Sequence, residues 1–189
     1  MKETIIDFLR QRKVMSEEFE RVFTEALLPV SLPADAVLLH PPQVPDHIYF
    51  MSKGFAMSYT YQEHRRFVGN FYQPGQVILS NNFFDQTHTD TTIVLTEPSE
   101  MLALSFTRFH SMVDNVPDAN QYYRLMVPLI LKDMQTRIND LQKLTAQQRL
   151  VKLWRLYPTI ERSVSQDAIA SYLGITPQSL SRIKRKLQS

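Results

Sequence analysis

The hydrophobic pattern changes period along the chain, and each change marks a structural boundary. From about Thr4 to Leu28 it reads as helical, with Ser16 a candidate N-cap and Glu17 and Glu18 in the first turn, where carboxylates suit the helix dipole. From Ser31 to about Phe106 the period shortens. Apolar or alternating runs (Ala36 to Leu39, His47 to Met51, Phe55 to Tyr61, Phe67 to Tyr72, Gln76 to Leu79, Thr91 to Leu95, Glu100 to Phe106) are separated by turn residues such as Pro41-Pro42, Lys53-Gly54 and Pro74-Gly75. Many short strands at this spacing predict a sandwich or jelly roll. The chain has four glycines, and three of them, Gly54, Gly69 and Gly75, fall at or near strand ends and are assigned to turns.

After Pro117 the helical period returns and holds to about Leu144. Tyr123, Val127, Ile130, Met134, Ile138 (or Arg137) and Leu141 advance by three or four, an apolar seam down one long helix. Pro128, early in it, predicts a kink or an irregular first turn. Leu125, Leu129 and Leu131 form a second strip. Packing on the β domain is one use for the seam, but two strips offer more apolar surface than one neighbour covers. We therefore assign Val127, Ile130, Met134, Ile138 and Leu141 to a parallel homodimer contact.

The last segment, Val164 to Leu187, reads as two short helices packed tightly together. Ser165 caps the first, whose inward residues are Ile169 and Leu173, and Gly174 ends it in the left-handed conformation that glycine adopts without steric cost. Thr176 caps the second and Pro177 occupies its first turn, where the missing amide proton has no helical partner anyway. Leu180, Ile183 and Leu187 face inward with Ile175, and Ala170 is small where the helices cross. Gln178, Ser179, Ser181, Arg182, Lys184, Arg185 and Lys186 are left outward. Such a face suits the major groove, with Gln178 pairing to adenine, Arg182 to guanine, and Ser165, Gln166, Thr176, Pro177, Ser179, Ser181, Lys184, Arg185 and Lys186 completing the contact surface. A structural hairpin with a solvated charged face is the alternative. It has no need of the glycine turn, the capped proline start and the cationic face together.

Charge sharpens this picture. From Leu144 onward eight Lys or Arg stand against Glu161 and Asp167, a net +6, while the other residues hold thirteen cations and seventeen anions, a net −4, within an overall +2. An acidic body with a basic tail offers one end to a polyanion. The absence of cysteine excludes disulfides, thiolate clusters, Cys-ligated zinc and a cysteine nucleophile. No signal peptide pattern precedes Asp7 and no apolar run reaches membrane-span length, so a cytoplasmic protein without a membrane partner is expected.

Three stretches resemble the Crp/Fnr family of bacterial transcription regulators: Asp46-His47-Ile48-Tyr49-Phe50-Met51-Ser52-Lys53-Gly54-Phe55, Phe71-Tyr72-Gln73-Pro74-Gly75-Gln76-Val77-Ile78, and Ala146 to Leu187 with Gln148-Arg149 near its start. The resemblance covers almost the whole chain. It implies an α+β protein: residues 1–117 as a jelly-roll-like effector domain of cyclic-nucleotide-binding type with N-terminal helices, 118–144 as a dimerisation helix, and 145–189 as a winged-helix-like helix-turn-helix domain. It further implies a homodimer that binds a roughly two-fold symmetric DNA operator and contacts RNA polymerase. The 189 residues contain no counterpart of the wing that follows the recognition helix in other members.

The effector region departs from the family. Members that bind cyclic AMP hold it with a Gly-Glu pair and an Arg followed by Ser or Thr, because a buried phosphate requires a cation or aimed N–H donors. Here the corresponding residues are Leu79-Ser80-Asn81-Asn82-Phe83-Phe84 and His88-Thr89-Asp90-Thr91-Thr92, with no Lys or Arg between Arg66 and Arg108. Cyclic AMP is therefore not expected, nor any other cofactor. A different small-molecule effector, if one binds, has Phe71, Tyr72, Ser80, Asn81, Phe83, Phe84, Thr91 and Thr92 as its candidate pocket. Pro177-Gln178 also replaces the Arg-Glu that opens the recognition helix of cyclic-AMP-responsive members, so the family's usual half-site is not assumed. The rival reading from another class is a jelly-roll metal-dependent enzyme with His88, Asp90 and His110 as a facial triad for iron. Isolated histidines are far more often surface or hydrogen-bonded core residues, and a hydrolase has neither nucleophile elbow nor phosphate loop to support it.

Overall fold

A computed structural model describes residues 6–7, 9–10 and 16–188. The part of the first predicted helix before Ser16 lies largely outside this range. Helix α1 (Glu17–Ala26) starts at Ser16, whose Oγ accepts the Phe19 amide at 3.2 Å, and buries Phe19, Phe23 and Ala26. Eight strands follow: β1 (Leu28–Leu32), β2 (Val37–Leu39), β3 (His47–Lys53), β4 (Ala56–Gln62), β5 (Arg65–Tyr72), β6 (Val77–Ile78), β7 (Thr92–Leu95) and β8 (Ser99–Ser105). They form two four-stranded sheets, ordered β1-β8-β3-β6 and β2-β7-β4-β5, with every pairing antiparallel.

The pattern missed β1 and misplaced one glycine. β1 begins one residue after the helix C-cap at Leu27 and is mostly exposed, so it has no apolar alternation to read. As an edge strand on β8 it also tolerates Pro29. Gly69 is not in a turn. Ser58 pairs with Asn70 but Tyr59 pairs with Val68, which leaves Gly69 as the extra residue of a bulge inside β5.

Three apolar clusters stack through the molecule. Between the sheets lie Leu39, Met51, Ala56, Tyr72, Ile78, Ile93, Leu95 and Met101. The outer face of the β1-β8-β3-β6 sheet, through Ile48, Leu102 and Leu104, is covered by α1 and by α2 (Phe106–Asn115). The outer face of the other sheet, through Phe55, Met57, Val68 and Phe71, is covered by the C-terminal helices. Both β4 and β8 are therefore apolar on two faces for part of their length, which explains their runs of consecutive buried residues.

Helix α3 (Ala119–Lys143) continues through Pro128 for 25 residues, about 37 Å at 1.5 Å per residue. Beyond it come α4 (Ala146–Leu156), α5 (Ile160–Ser163), α6 (Gln166–Leu173) and α7 (Pro177–Gln188). Helix α4 opens on a capping box: Thr145 accepts the Gln148 amide, and the Gln148 side chain accepts the Thr145 amide.

Candidate nucleic-acid interface and effector cavity

The two C-terminal helices are held as their caps require. Ser165 Oγ accepts the Ala168 amide at 3.2 Å, and Gly174 closes α6 at φ 68° while the Ile175 amide reaches back to the Ala170 carbonyl at 3.0 Å. Thr176 Oγ1 accepts the Ser179 amide at 3.2 Å and starts α7. Ile169, Ala170, Leu173 and Leu180 are fully buried in one cluster, with Ile175, Ile183 and Leu187 packed against it. Gln178, Ser181, Arg182, Arg185 and Lys186 are exposed together on α7, with Thr176 and Pro177 exposed at its start.

Gln166 and Lys184, assigned to the contact surface by sequence, are turned to each other and to Glu161. Lys184 Nζ lies 2.5 Å from Glu161 Oε2 and 2.9 Å from Gln166 Oε1, while Gln166 Nε2 and Trp154 Nε1 donate to the same carboxylate at 2.7 and 2.8 Å. Partial burial pushes the Glu161 carboxyl up, but the hydrogen bonds from Lys184, Gln166 and Trp154 outweigh it and hold the group below the usual carboxylate range. In this arrangement Lys184 links α5, α6 and α7, and a DNA phosphate would have to compete with Glu161 for it. Arg149 is likewise occupied: its guanidinium donates to the carbonyls of Leu144 and Leu173 at 2.6 and 2.9 Å.

On α3, Leu131, Met134, Ile138 and Leu141 are all exposed. The side chains of Val127 and Ile130 lie outside the described residues. Arg137 turns the other way: its guanidinium covers the Tyr172 ring at 3.7 Å from the centroid and donates to the Tyr172 carbonyl. Of the two residues that shared one place in the seam, Ile138 is therefore the one that faces outward. Burial lowers the Arg137 pKa, with the nearby Tyr172 acting against that shift.

A cavity of about 210 Å³ opens between β4, β5 and the 79–82 and 90–93 segments. Ser58, Thr60, Phe67, Asn70, Tyr72, Ser80, Asn81, Asn82, Asp90 and Thr91 are among its lining residues, and no lysine or arginine is among those described. Four of the eight residues expected there, Tyr72, Ser80, Asn81 and Thr91, take part. Phe71 does not: the bulge at Gly69 sends it to the opposite face of β5, where its ring lies 4.9 Å from that of Tyr172. Phe83 and Phe84 pack with Phe109 in the cluster under α1 and α2. Thr92, paired with Tyr59 in β7, is not a lining residue. Asp90, read from sequence as part of the effector region, lines the cavity, whereas Ser58, Thr60, Phe67 and Asn70 were missed. Ser58 and Thr60 alternate along β4 and so share a face, a signal that could have found them, but the bulge hides the β5 pair.

The candidate iron triad is not assembled. His88 Nδ1 contacts the Pro42 carbonyl at 2.5 Å, while His110 is exposed on α2 against the Phe106 ring. No group of three or more His, Asp or Glu placed to hold a metal occurs among the described residues. No helix among them is long and apolar enough to cross a membrane.

A two-sheet roll bearing a polar cavity, a long helix and a capped helix pair together define the class. Residues 29–116 match the family model described as the cyclic nucleotide-binding domain. Solved structures place most of the chain in the fold of the Crp/Fnr transcriptional regulators. A putative transcriptional regulator of the Crp/Fnr family from Eubacterium rectale superposes with a TM-score of 0.71 at 12% identity, over 92% of this chain and 84% of that one. The c-di-GMP responsive global regulator CLP of Xanthomonas campestris gives 0.69 at 15% identity, over 92% of both chains. FixK2 of Bradyrhizobium japonicum gives 0.71 at 18% identity, over 86% of this chain and 84% of that one. At such identities the likeness is one of fold. A comparison with curated protein sequences finds no match.

Proposed function

We propose that this chain is a dimeric, sequence-specific DNA-binding transcription regulator of Crp/Fnr type, with α7 as its recognition helix and α3 as its dimer contact. One observation carries the reading: the capped α6–α7 pair presents amide, hydroxyl and guanidinium groups together on one exposed face, the donor set that base edges and phosphates require. The exposed apolar residues of α3 support the homodimer, and a symmetric dimer would present two copies of α7 to a two-fold operator. RNA polymerase is the partner through which such a protein would act on transcription.

The roll would not take cyclic AMP or cyclic GMP by phosphate-to-arginine pairing. Asp90 faces the cavity and no described lining residue is cationic, so a phosphate there would find no partner in the lining and would be opposed by Asp90. Selection of bound fragments from a genomic pool tests the DNA reading. A two-fold symmetric consensus is expected, and uniform recovery of all sequences would remove specificity. Calorimetry with cyclic AMP tests the second statement, and saturable micromolar binding would overturn it.

A further inference from the structure

The cavity lined by β4, β5 and the 79–82 and 90–93 segments has a polar surface that selects one class of ligand. We propose that it takes a small, uncharged, polyhydroxylated molecule of the size of one sugar ring or cyclic polyol. The inference rests on reading the roll as an effector domain. The cavity, about 210 Å³, is smaller than the ~300–1,000 Å³ of pockets that enclose drug-sized ligands. Its polar lining is made of amides and hydroxyls, chiefly Asn70, Asn81, Ser58 and Thr60. Each amide offers a donor and an acceptor side by side, the complement of neighbouring hydroxyls on a ring.

Charge narrows the class from both sides. An anion meets Asp90, and the Arg65 and Arg66 guanidiniums lie over the Phe67 and Tyr59 rings without being lining groups themselves. An organic cation would want a carboxylate together with open aromatic faces. Here the Phe67 and Tyr59 rings of the lining already carry the Arg65 and Arg66 guanidiniums at 5.1 and 5.5 Å from their centroids. A neutral ligand with many hydroxyls uses the acceptor capacity of Asp90 without needing its charge. The Asn70 backbone amide donates to Ser58 Oγ at 3.1 Å, which ties these two lining residues together.

Calorimetry on the full chain decides the matter with four probes: neutral hexoses and inositol, a hexose phosphate, cyclic AMP, and putrescine, each up to about 10 mM, roughly tenfold above a millimolar dissociation constant. A neutral polyol should bind at about 1 mM or tighter, with its phosphate ester at least about tenfold weaker. Asn70→Ala and Asn81→Ala should each weaken the polyol about tenfold, the loss of one or two hydrogen bonds, and Asp90→Asn should narrow the gap between polyol and phosphate ester. Circular dichroism identifies any variant that fails to fold. The remaining variant, with the probe series on the unmodified chain, still decides.

Binding of the phosphate ester or cyclic AMP more tightly than the polyol, binding of putrescine alone, no binding by any polyol, or an unchanged constant in both folded Asn variants would each overturn the proposal. DNA binding by the same preparation is followed separately by anisotropy. DNA binding without any polyol binding removes this inference and leaves the regulator, whereas polyol binding without DNA binding leaves this inference and removes the regulator.

Discussion

Gly54 stands in the β3–β4 turn at φ 96°, where a Cβ would meet Ser99 Oγ at 2.1 Å and the Pro98 carbonyl at 2.7 Å. Backbone strain and collision with main-chain atoms then act together. Gly54→Ala should cost about 1–3 kcal/mol or more in urea unfolding, whereas Gly75→Ala, at φ 86° with open space around it, should cost only the conformational part. Glu161 gives a residue-scale prediction with a sign. Its folded-state pKa is depressed, so its stabilising contribution is complete above the usual glutamate value, about 4.3, and is lost as pH falls through the lower folded value. Glu161→Gln should flatten the acid limb of the stability curve below about pH 4.5. An identical acid limb in the variant would show that other carboxylates carry it.

At the scale of elements, α7 and α3 each have a face to test. Arg182→Ala should relax sequence preference at one base pair of each half-site, by about 1–3 kcal/mol. Arg185→Ala, further along α7, should weaken all sequences alike and lower the salt slope by about one unit. Anisotropy on specific and random DNA across salt concentrations separates these outcomes, and equal losses on both DNAs for Arg182→Ala would remove it from base reading. On α3, Met134→Glu or Ile138→Glu puts a charge in an apolar contact and should weaken dimerisation at least about a hundredfold. Light scattering that finds an intact dimer in both variants would remove the seam. These faces were legible in the sequence because helix caps and period act over a few residues. Strand β1 was not, since nothing in its own pattern distinguishes an exposed edge from a loop.

Taken as a whole molecule, the C-terminal helices are seated on the edge strand of a sheet. β5 is the last strand of its sheet, and Ser171 of α6 serves its free edge: the Val68 amide donates to Ser171 Oγ at 3.0 Å, and Ser171 donates to the Arg66 carbonyl at 2.9 Å. Tyr157 adds a bond from its hydroxyl to the Phe71 carbonyl at 3.0 Å, and Gln73 donates to the Leu156 carbonyl at 2.8 Å. One face of β5 thus lines the cavity while the other carries the C-terminal helices. Ser171→Ala leaves the Val68 amide without that acceptor, at a cost of about 1–3 kcal/mol. Hydrogen exchange at Val68 should then quicken by about tenfold or more. Unchanged exchange would mean that the apolar contact alone holds the seat.

The sequence by itself determined the N-cap at Ser16, seven of the eight strands, the long helix, and the Gly174 turn with its two caps, but not α2, α4 or α5. It also located the basic tail and the absence of Lys or Arg between Arg66 and Arg108, because charge is countable without coordinates. Only the tertiary structure decided which residues share a surface. The bulge at Gly69 shifts the parity of β5, so that Phe67, Asn70 and Tyr72 look into the roll while Val68 and Phe71 look out. In the same way Lys184 meets Glu161 across 23 positions and Arg137 meets Tyr172 across 35. Local pattern records the period of an element, but the partner of each side chain depends on how distant elements are brought together.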